Sequence, residues 1–220
     1  IKGVDFNSSA DIPAGTGLGS SSAFTVGLSL LCNSYTEGNY MNQEELARFS
    51  AEVELEKLKE PIGKQDHYST AIGGLKYISF NPDESVIVEP LHLSKESSKK
   101  VNENLLLFYT GQTRSASAIL SKQSKNIETD PNKAKALTEM VGLAGDIRLA
   151  LLNNNIDLMG DILHANWELK RELAKGITNP GIDFYYKVAQ DNGAEGGKLL
   201  GAGGGGFLLF YAKKENHQRL

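Results

Sequence analysis

The stretch "DIPAGTGLGSSSAF" at residues 11–24 constrains the fold more than any other part of the chain. Gly15, Gly17 and Gly19 alternate. Three serines follow, at the mouth of a segment whose apolar residues Phe24, Leu28, Leu31 and Tyr35 recur at i, i+4, i+7 and i+11. That spacing marks one face of an α-helix, so the glycines form the turn into a helix that starts at Ser20. Glycine lets a backbone approach a ligand closely and take positive φ. The free N–H groups and positive dipole end of a helix start attract phosphate. Serine hydroxyls add hydrogen bonds or reach a phosphate-bound Mg2+. Pro13, Gly15, Gly17, Leu18, Gly19, Ser20, Ser21 and Ser22 are therefore the candidate phosphate cradle. The Gly-Lys-Ser/Thr ending of a P-loop is missing, and no third glycine is spaced for a dinucleotide fold. These residues leave one alternative open, a tight strand-to-helix turn capped by serines.

The 220 residues can bury a substantial core as one large domain or two modest ones. A formal charge of -4, with both signs interspersed, offers no broad basic field to a nucleic-acid backbone or an anionic membrane. The longest apolar runs, such as residues 206–212, fall well short of the roughly 20 residues a membrane-spanning helix needs. Cys32 is the single cysteine, which suits a reducing, cytoplasmic compartment.

Residues 1–12 read as a strand-like run into the glycine loop, and Gly38-Asn39 as the end of the first helix. Asn42, with Glu45 three residues on, N-caps a second helix whose buried stripe is Leu46, Phe49 and Val53. "LKYISF" and "SVIVEP" form a hairpin through Asn81-Pro82-Asp83. The polar stretch "HLSKESSKK" is the expected junction, dividing the chain into residues 1–94 and 95–220. Beyond it "NLLLFYTG" reads as a buried strand and three or four helices fill residues 115–192. "KLLGAGGGGFLLFYAKKE" then gives strand, glycine loop and strand. Strands flanking a block of helices argue for an α+β fold.

"PAGTGLGSSSA", "GKQDHYSTAIGGLKYISF" and "GGKLLGAGGGGFLLFYAKKEN", in that order, resemble motifs of the GHMP kinases. Within that superfamily the resemblance, reinforced by "LLLFYTGQTRSASAIL" and "LKRELAKGITNPGID", is strongest to the heptose 7-phosphate kinases. It implies an N-terminal ATP-binding domain like ribosomal protein S5 domain 2 over residues 1–94, truncated because no segment matches the family's first motif. A ferredoxin-like C-terminal domain follows over residues 95–220. It implies ATP and Mg2+ as cofactors, a sugar phosphate as acceptor, and phosphorylation of O1 of D-glycero-D-manno-heptose 7-phosphate. An L-fucose kinase, another anomeric sugar kinase and a non-catalytic nucleotide- or sugar-binding relative are the rival readings. A homodimer stays open as a partner state.

Phosphoryl transfer needs a carboxylate to orient or deprotonate the attacking hydroxyl. Asp66, in "GKQDHY", is that candidate, and the alternative is that it only caps a short helix. The resemblance puts the Mg2+ ligands at Ser21 and Glu54, although Glu54 sits among glutamates that suit a solvated helix face. His67 is placed with substrate, and Lys64 is a surface lysine by default. Thr113 N-caps a helix with Arg114 in its first turn, where a cation opposes the dipole, so Arg114 with Thr113 and Ser115 is a candidate site for a sugar phosphate. Gly201, Gly203, Gly204, Gly205 and Gly206 form a loop that is costly to order, implying close approach of a backbone or ligand, with Gly203 and Gly204 on the substrate side. Trp167 reads as core, and Lys170 and Arg171 as a solvated face.

Overall fold

The computed structural model of the chain describes residues 3–36, 40–113 and 115–220, in an α+β arrangement. Helix α1 spans Ser20–Tyr35, α2 Gln43–Glu52, and α3 Gln65–Ile72. Asn42 caps α2 as its sequence predicts. The Asn42 side chain accepts from the Glu45 N–H, and the Glu45 carboxylate accepts from the Asn42 N–H, both at 2.9 Å. A π-helical turn, Val53–Lys57, continues α2, with the Leu58 N–H donating to the Val53 carbonyl. Strands β1 (Lys76–Phe80) and β2 (Val86–Pro90) pair antiparallel as the expected hairpin, Ile78 opposite Val88.

The second half runs α4 (Lys95–Asn104), β3 (Leu105–Tyr109), α5 (Ala116–Thr129), α6 (Pro131–Leu152), α7 (Leu158–Leu173), α8 (Pro180–Asp191), β4 (Gly196–Leu199) and β5 (Phe207–Tyr211). Its sheet is antiparallel in the order β3-β5-β4. Leu208 and Phe210 alternate along β5 into a core with Trp167, Leu173, Ile177, Ile182 and Tyr186. A second cluster joins Leu91, just after the hairpin, to Leu151, Ile156, Met159, Leu163 and Tyr211. The hairpin is also tied to α6 by a fork of two bonds from Arg148 to Glu89, at 2.9 and 2.8 Å. Helix α7 approaches β4 so closely that a Cβ on Gly160 would lie 2.7 Å from the Glu195 Cβ.

Several expectations change. Residues 3–12 take no strand pairing and are largely exposed. Helix α1 ends at Tyr35 with Thr36 as C-cap, and Gly38-Asn39 lie outside the described residues. Its apolar stripe is turned outward, with Phe24, Leu31 and Tyr35 all exposed, while Ser22 and Val26 are buried. Helix α2 likewise buries Leu46, Ala47, Ser50 and Ala51 and exposes Phe49. The buried residues of α1, α2 and α3 are thus a mixture of small side chains, Ser22, Ala47, Ser50 and Ala51, with Val26, Leu46, His67 and Tyr68. Strand β3, expected to be buried, exposes Leu107, Phe108 and Tyr109 at its C-terminal end. The polar junction is helical: Ser94 caps α4 by accepting from the Ser97 N–H, and the buried Ser97 donates to Asn154 at 2.6 Å.

The contact between α7 and β4 yields a paired prediction. A Cβ at Gly196 would overlap the Gly160 carbonyl oxygen, whereas one at Gly142, inside α6, meets nothing within 4 Å. Gly196→Ala is expected to lower unfolding free energy by about 1–3 kcal/mol or more through overpacking. Gly142→Ala is expected to raise it by about 0.5–1 kcal/mol through helix propensity. Urea denaturation of both variants beside the parent protein measures each shift.

Candidate active site

The glycine loop and the start of α1 form one wall of the site. Gly19 takes φ 71° as the residue before the helix, and no side chain caps the N-terminus. With no acidic residue in the first turn, the amides of Ser20, Ser21 and Ser22 remain available to an external anion. Thr16, which sequence reading passed over, is fully buried and pins the loop. Its hydroxyl donates to the Pro13 carbonyl at 3.0 Å, and its own carbonyl accepts from the Phe207 N–H at 3.2 Å.

The second glycine loop, residues 201–206, packs directly on the first. A Cβ at Gly17 would lie 2.7 Å from the Leu200 carbonyl oxygen; one at Gly201 would overlap the Gly17 backbone, and one at Gly206 that of Thr16. Only glycine fits such backbone-to-backbone contact, and Gly206 adds φ +98°. On its other side the loop is held by the Ile177 carbonyl, which accepts from the Gly204 N–H at 2.7 Å, and the Gln112 carbonyl, which accepts from the Gly206 N–H at 2.8 Å. Gly203 and Gly204, expected beside substrate, are buried, Gly203 against the Ile177 backbone.

Glu54 lies in the π turn after α2, 3% exposed, and its carboxylate faces α1 and α3. Ser21 and Thr25 donate to Oε1, Thr25 at 3.1 Å. Ser22 donates to Oε2 at 3.2 Å, and His67 Nε2 lies 2.6 Å from that oxygen. Burial pushes the Glu54 carboxyl up. The hydrogen bonds from Ser21 and His67, the charge of His67 and the bond from Thr25 together outweigh burial and hold it below its ordinary value. Ser21 and Glu54, paired by resemblance, are thus in contact, and Glu54 is no solvated helix residue. Thr25 was missed, although its position one helical turn after Ser21 places both hydroxyls on one face. His67 requires a correction. Its ring is fully buried, with Nε2 on Glu54 and no partner for Nδ1, so it presents no surface to a substrate.

Asp66 sits in the first turn of α3, half-buried, and a Cβ at Gly19 would lie 3.3 Å from its Cβ and Cγ. Burial raises its carboxyl above the ordinary aspartate value; the charge of His67 lowers it and that of Glu54 raises it further. The arrangement therefore brings one buried, ionised carboxylate and one half-buried, more basic carboxylate to the same uncapped helix start. Lys64 pairs with Glu84 of the hairpin turn. Thr113 is exposed and is not the N-cap expected of it, since α5 starts at Ala116 with Ser115 in the cap position, and Arg114 lies outside the described residues.

Two family models match the chain: the GHMP kinases N terminal domain over residues 2–74 and the GHMP kinases C terminal over residues 147–220. The D-glycero-alpha-D-manno-heptose 7-phosphate kinase of Campylobacter jejuni is 30% identical over 204 residues, covering 92% of this chain and 59% of that protein. The bifunctional fucokinase/GDP-fucose pyrophosphorylase of Arabidopsis thaliana is 31% identical, covering 99% of this chain and 21% of that protein. A crystal structure of a D-glycero-D-manno-heptose 1-phosphate kinase from Bacteroides thetaiotaomicron superposes with a TM-score of 0.70 at 26% identity, covering 94% of this chain and 56% of that one. The chain spans less than two thirds of the length of these relatives. Each family model takes in one of the two glycine loops that meet at Thr16, Gly17, Gly201 and Gly206, and the chain belongs to the GHMP kinases.

Proposed function

We propose that the chain carries the nucleotide cradle and catalytic carboxylate of an ATP- and Mg2+-dependent sugar kinase. Its acceptor in this reading is D-glycero-D-manno-heptose 7-phosphate, and its product the 1,7-bisphosphate. One observation carries the proposal: the raised Asp66 carboxyl against Gly19, at the uncapped start of α1, with ionised Glu54 buried beside it. The names of the Campylobacter and Bacteroides proteins support a heptose phosphate as acceptor. In this reading residues 1–94 form the nucleotide side and residues 95–220 complete the acceptor side.

Phosphoryl transfer depends mainly on positioning and charge stabilisation. The amides of Ser20–Ser22 hold the nucleotide phosphates at the helix dipole. Asp66 takes the proton of the O1 hydroxyl as O1 bonds to the γ-phosphorus and the bond from phosphorus to the bridging oxygen of ADP breaks. A raised pKa makes Asp66 a better base than an ordinary aspartate. Ser21 and Glu54 would hold Mg2+: a carboxylate kept ionised by hydroxyl and imidazole donors, with a serine oxygen beside it, is the hard oxygen set this ion takes. When bound, Mg2+ neutralises charge on the phosphates. His67 fixes the Glu54 carboxylate and leaves Asp66 free to face the acceptor.

The match to the Arabidopsis fucokinase over nearly the whole chain favours a second reading, phosphorylation of L-fucose. A substrate panel with ATP separates the two. Turnover of heptose 7-phosphate above that of L-fucose is expected, and the reverse order overturns the heptose assignment. Asp66→Asn is expected to lower kcat by about a hundred- to ten-thousand-fold with ATP affinity unchanged, measured by steady-state kinetics and nucleotide titration. Because Asp66 acts as a base and its pKa is raised above 3.8, falling pH protonates it and removes activity. The acid limb of the kcat/KM profile is therefore expected above pH 3.8, and it should be absent from the residual activity of Asp66→Asn.

A further inference from the structure

Two half-buried cations take no part in the chemistry described so far. Lys170, at the end of α7, donates to the Leu199 carbonyl at 3.1 Å and the Gly201 carbonyl at 2.5 Å, where β4 turns into the second glycine loop. Lys198, on β4, donates to Asn166 Oδ1 at 2.5 Å, and Asn166 lies one turn before Lys170 on the same helix. Lys170 thus stands at the mouth of the loop with Lys198 near enough for its charge to act on it, and the partners of both are neutral oxygens. Burial pushes Lys170 down to about 7, assisted by the charge of Lys198, and burial lowers Lys198 as well. No carboxylate among the described residues acts on either group. Their neighbour Arg171 behaves differently, pairing with Glu168 and Asp183.

The loop beside these lysines is rich in free donors. The N–H groups of Gly201 and Ala202, at the start of the loop, find no acceptor among the described residues, and Gly201 is exposed. Two uncompensated ammonium groups next to unpaired amides are unfavourable by themselves and favourable around an anion. Lysine suits phosphate as a compact charge with three donors. A reaction between two phosphorylated substrates needs two phosphate sites. The start of α1 supplies one on the first loop, and the lysine pair supplies another on the second.

We propose that Lys170 and Lys198, with the amides at the start of the 201–206 loop, bind the phosphomonoester of the acceptor sugar phosphate. This rests on the kinase reading above and gives it an acceptor subsite. The same chemistry could meet the nucleotide phosphates instead, so the experiment follows both substrates.

Lys170→Gln and Lys198→Gln are compared with the parent protein for KM of heptose 7-phosphate, of the heptose lacking its phosphate, and of ATP. Lys198→Gln keeps a donor for Asn166, and thermal melting reports whether either change disturbs the fold. A charge-assisted hydrogen bond of usual strength predicts a KM for the sugar phosphate raised about tenfold or more in each variant. KM for the unphosphorylated sugar and for ATP should stay within about twofold, a free-energy change of under about 0.5 kcal/mol. Equal losses for both sugars, or a loss confined to ATP, overturn the subsite and leave the kinase reading standing. If the parent protein turns over no sugar phosphate, the kinase reading fails by itself. Equilibrium binding of inorganic phosphate then decides the subsite, which stands if binding to the parent is lost in both variants and falls otherwise.

Discussion

The buried carboxylate of Glu54 is the interaction on which the first half of the molecule depends. Removing a carboxylate from water costs several kcal/mol unless donors replace the water. Here α1 supplies three hydroxyls, from Ser21, Ser22 and Thr25, and α3 supplies His67. The group that would disrupt an apolar interface thus joins three helices that bury few large apolar side chains against one another. It also fixes direction: the start of α1 and the start of α3 are both oriented toward Glu54, which brings Gly19 against Asp66. The π turn is the local device that places Glu54 there, in keeping with the tendency of such turns to occur at functional positions.

The two glycine loops meet through backbone rather than through side chains. Thr16 accepts from the Phe207 N–H, and Gly17 and Gly201 touch at distances that exclude any Cβ. A contact of this kind transmits position with little play, because peptide groups have no rotamers. The loop that holds the start of α1 is therefore registered to β4, β5 and, through Ile177, to the segment between α7 and α8. Lys170 closes the same frame by bonding the carbonyls of Leu199 and Gly201.

What could be read from the sequence was local or carried by motif. The Asn42–Glu45 capping box, the hairpin through Asn81-Pro82-Asp83 and the two glycine loops each depend on residues within a few positions of one another, and each took the expected form. The pairing of Ser21 with Glu54 came from resemblance, since no local rule chooses one glutamate among several. Reading failed where a side chain's surroundings are set by distant chain. Phe24, Leu31 and Phe49 have helical spacing yet are exposed, while Ser22, Val26, Leu46 and Ala47 are buried. Lys170 lies beside Arg171 in a charged run, and only the fold of β4 onto α7 separates the solvated cation from the half-buried one. His67 was misplaced for the same reason: adjacency to Asp66 in sequence puts it on a different side of α3, against Glu54.

Asp66 and Glu54 illustrate how one region divides two carboxylates between two roles. Both lose water, and burial by itself would raise both. Glu54 receives direct donors and is held low; among the described residues Asp66 receives none from a side chain and is left high. Separation of this kind lets one group stay ionised as a fixed anion while the other accepts a proton. His67 is the pivot, since it donates to one carboxylate and acts on the other only through its charge. A glutamine at that position could donate the same hydrogen bond but would carry no charge, so the balance between the two carboxylates would shift even with the geometry preserved. The environment of Asp66 is thus set by burial first and then by the charge of a residue that is itself fully buried.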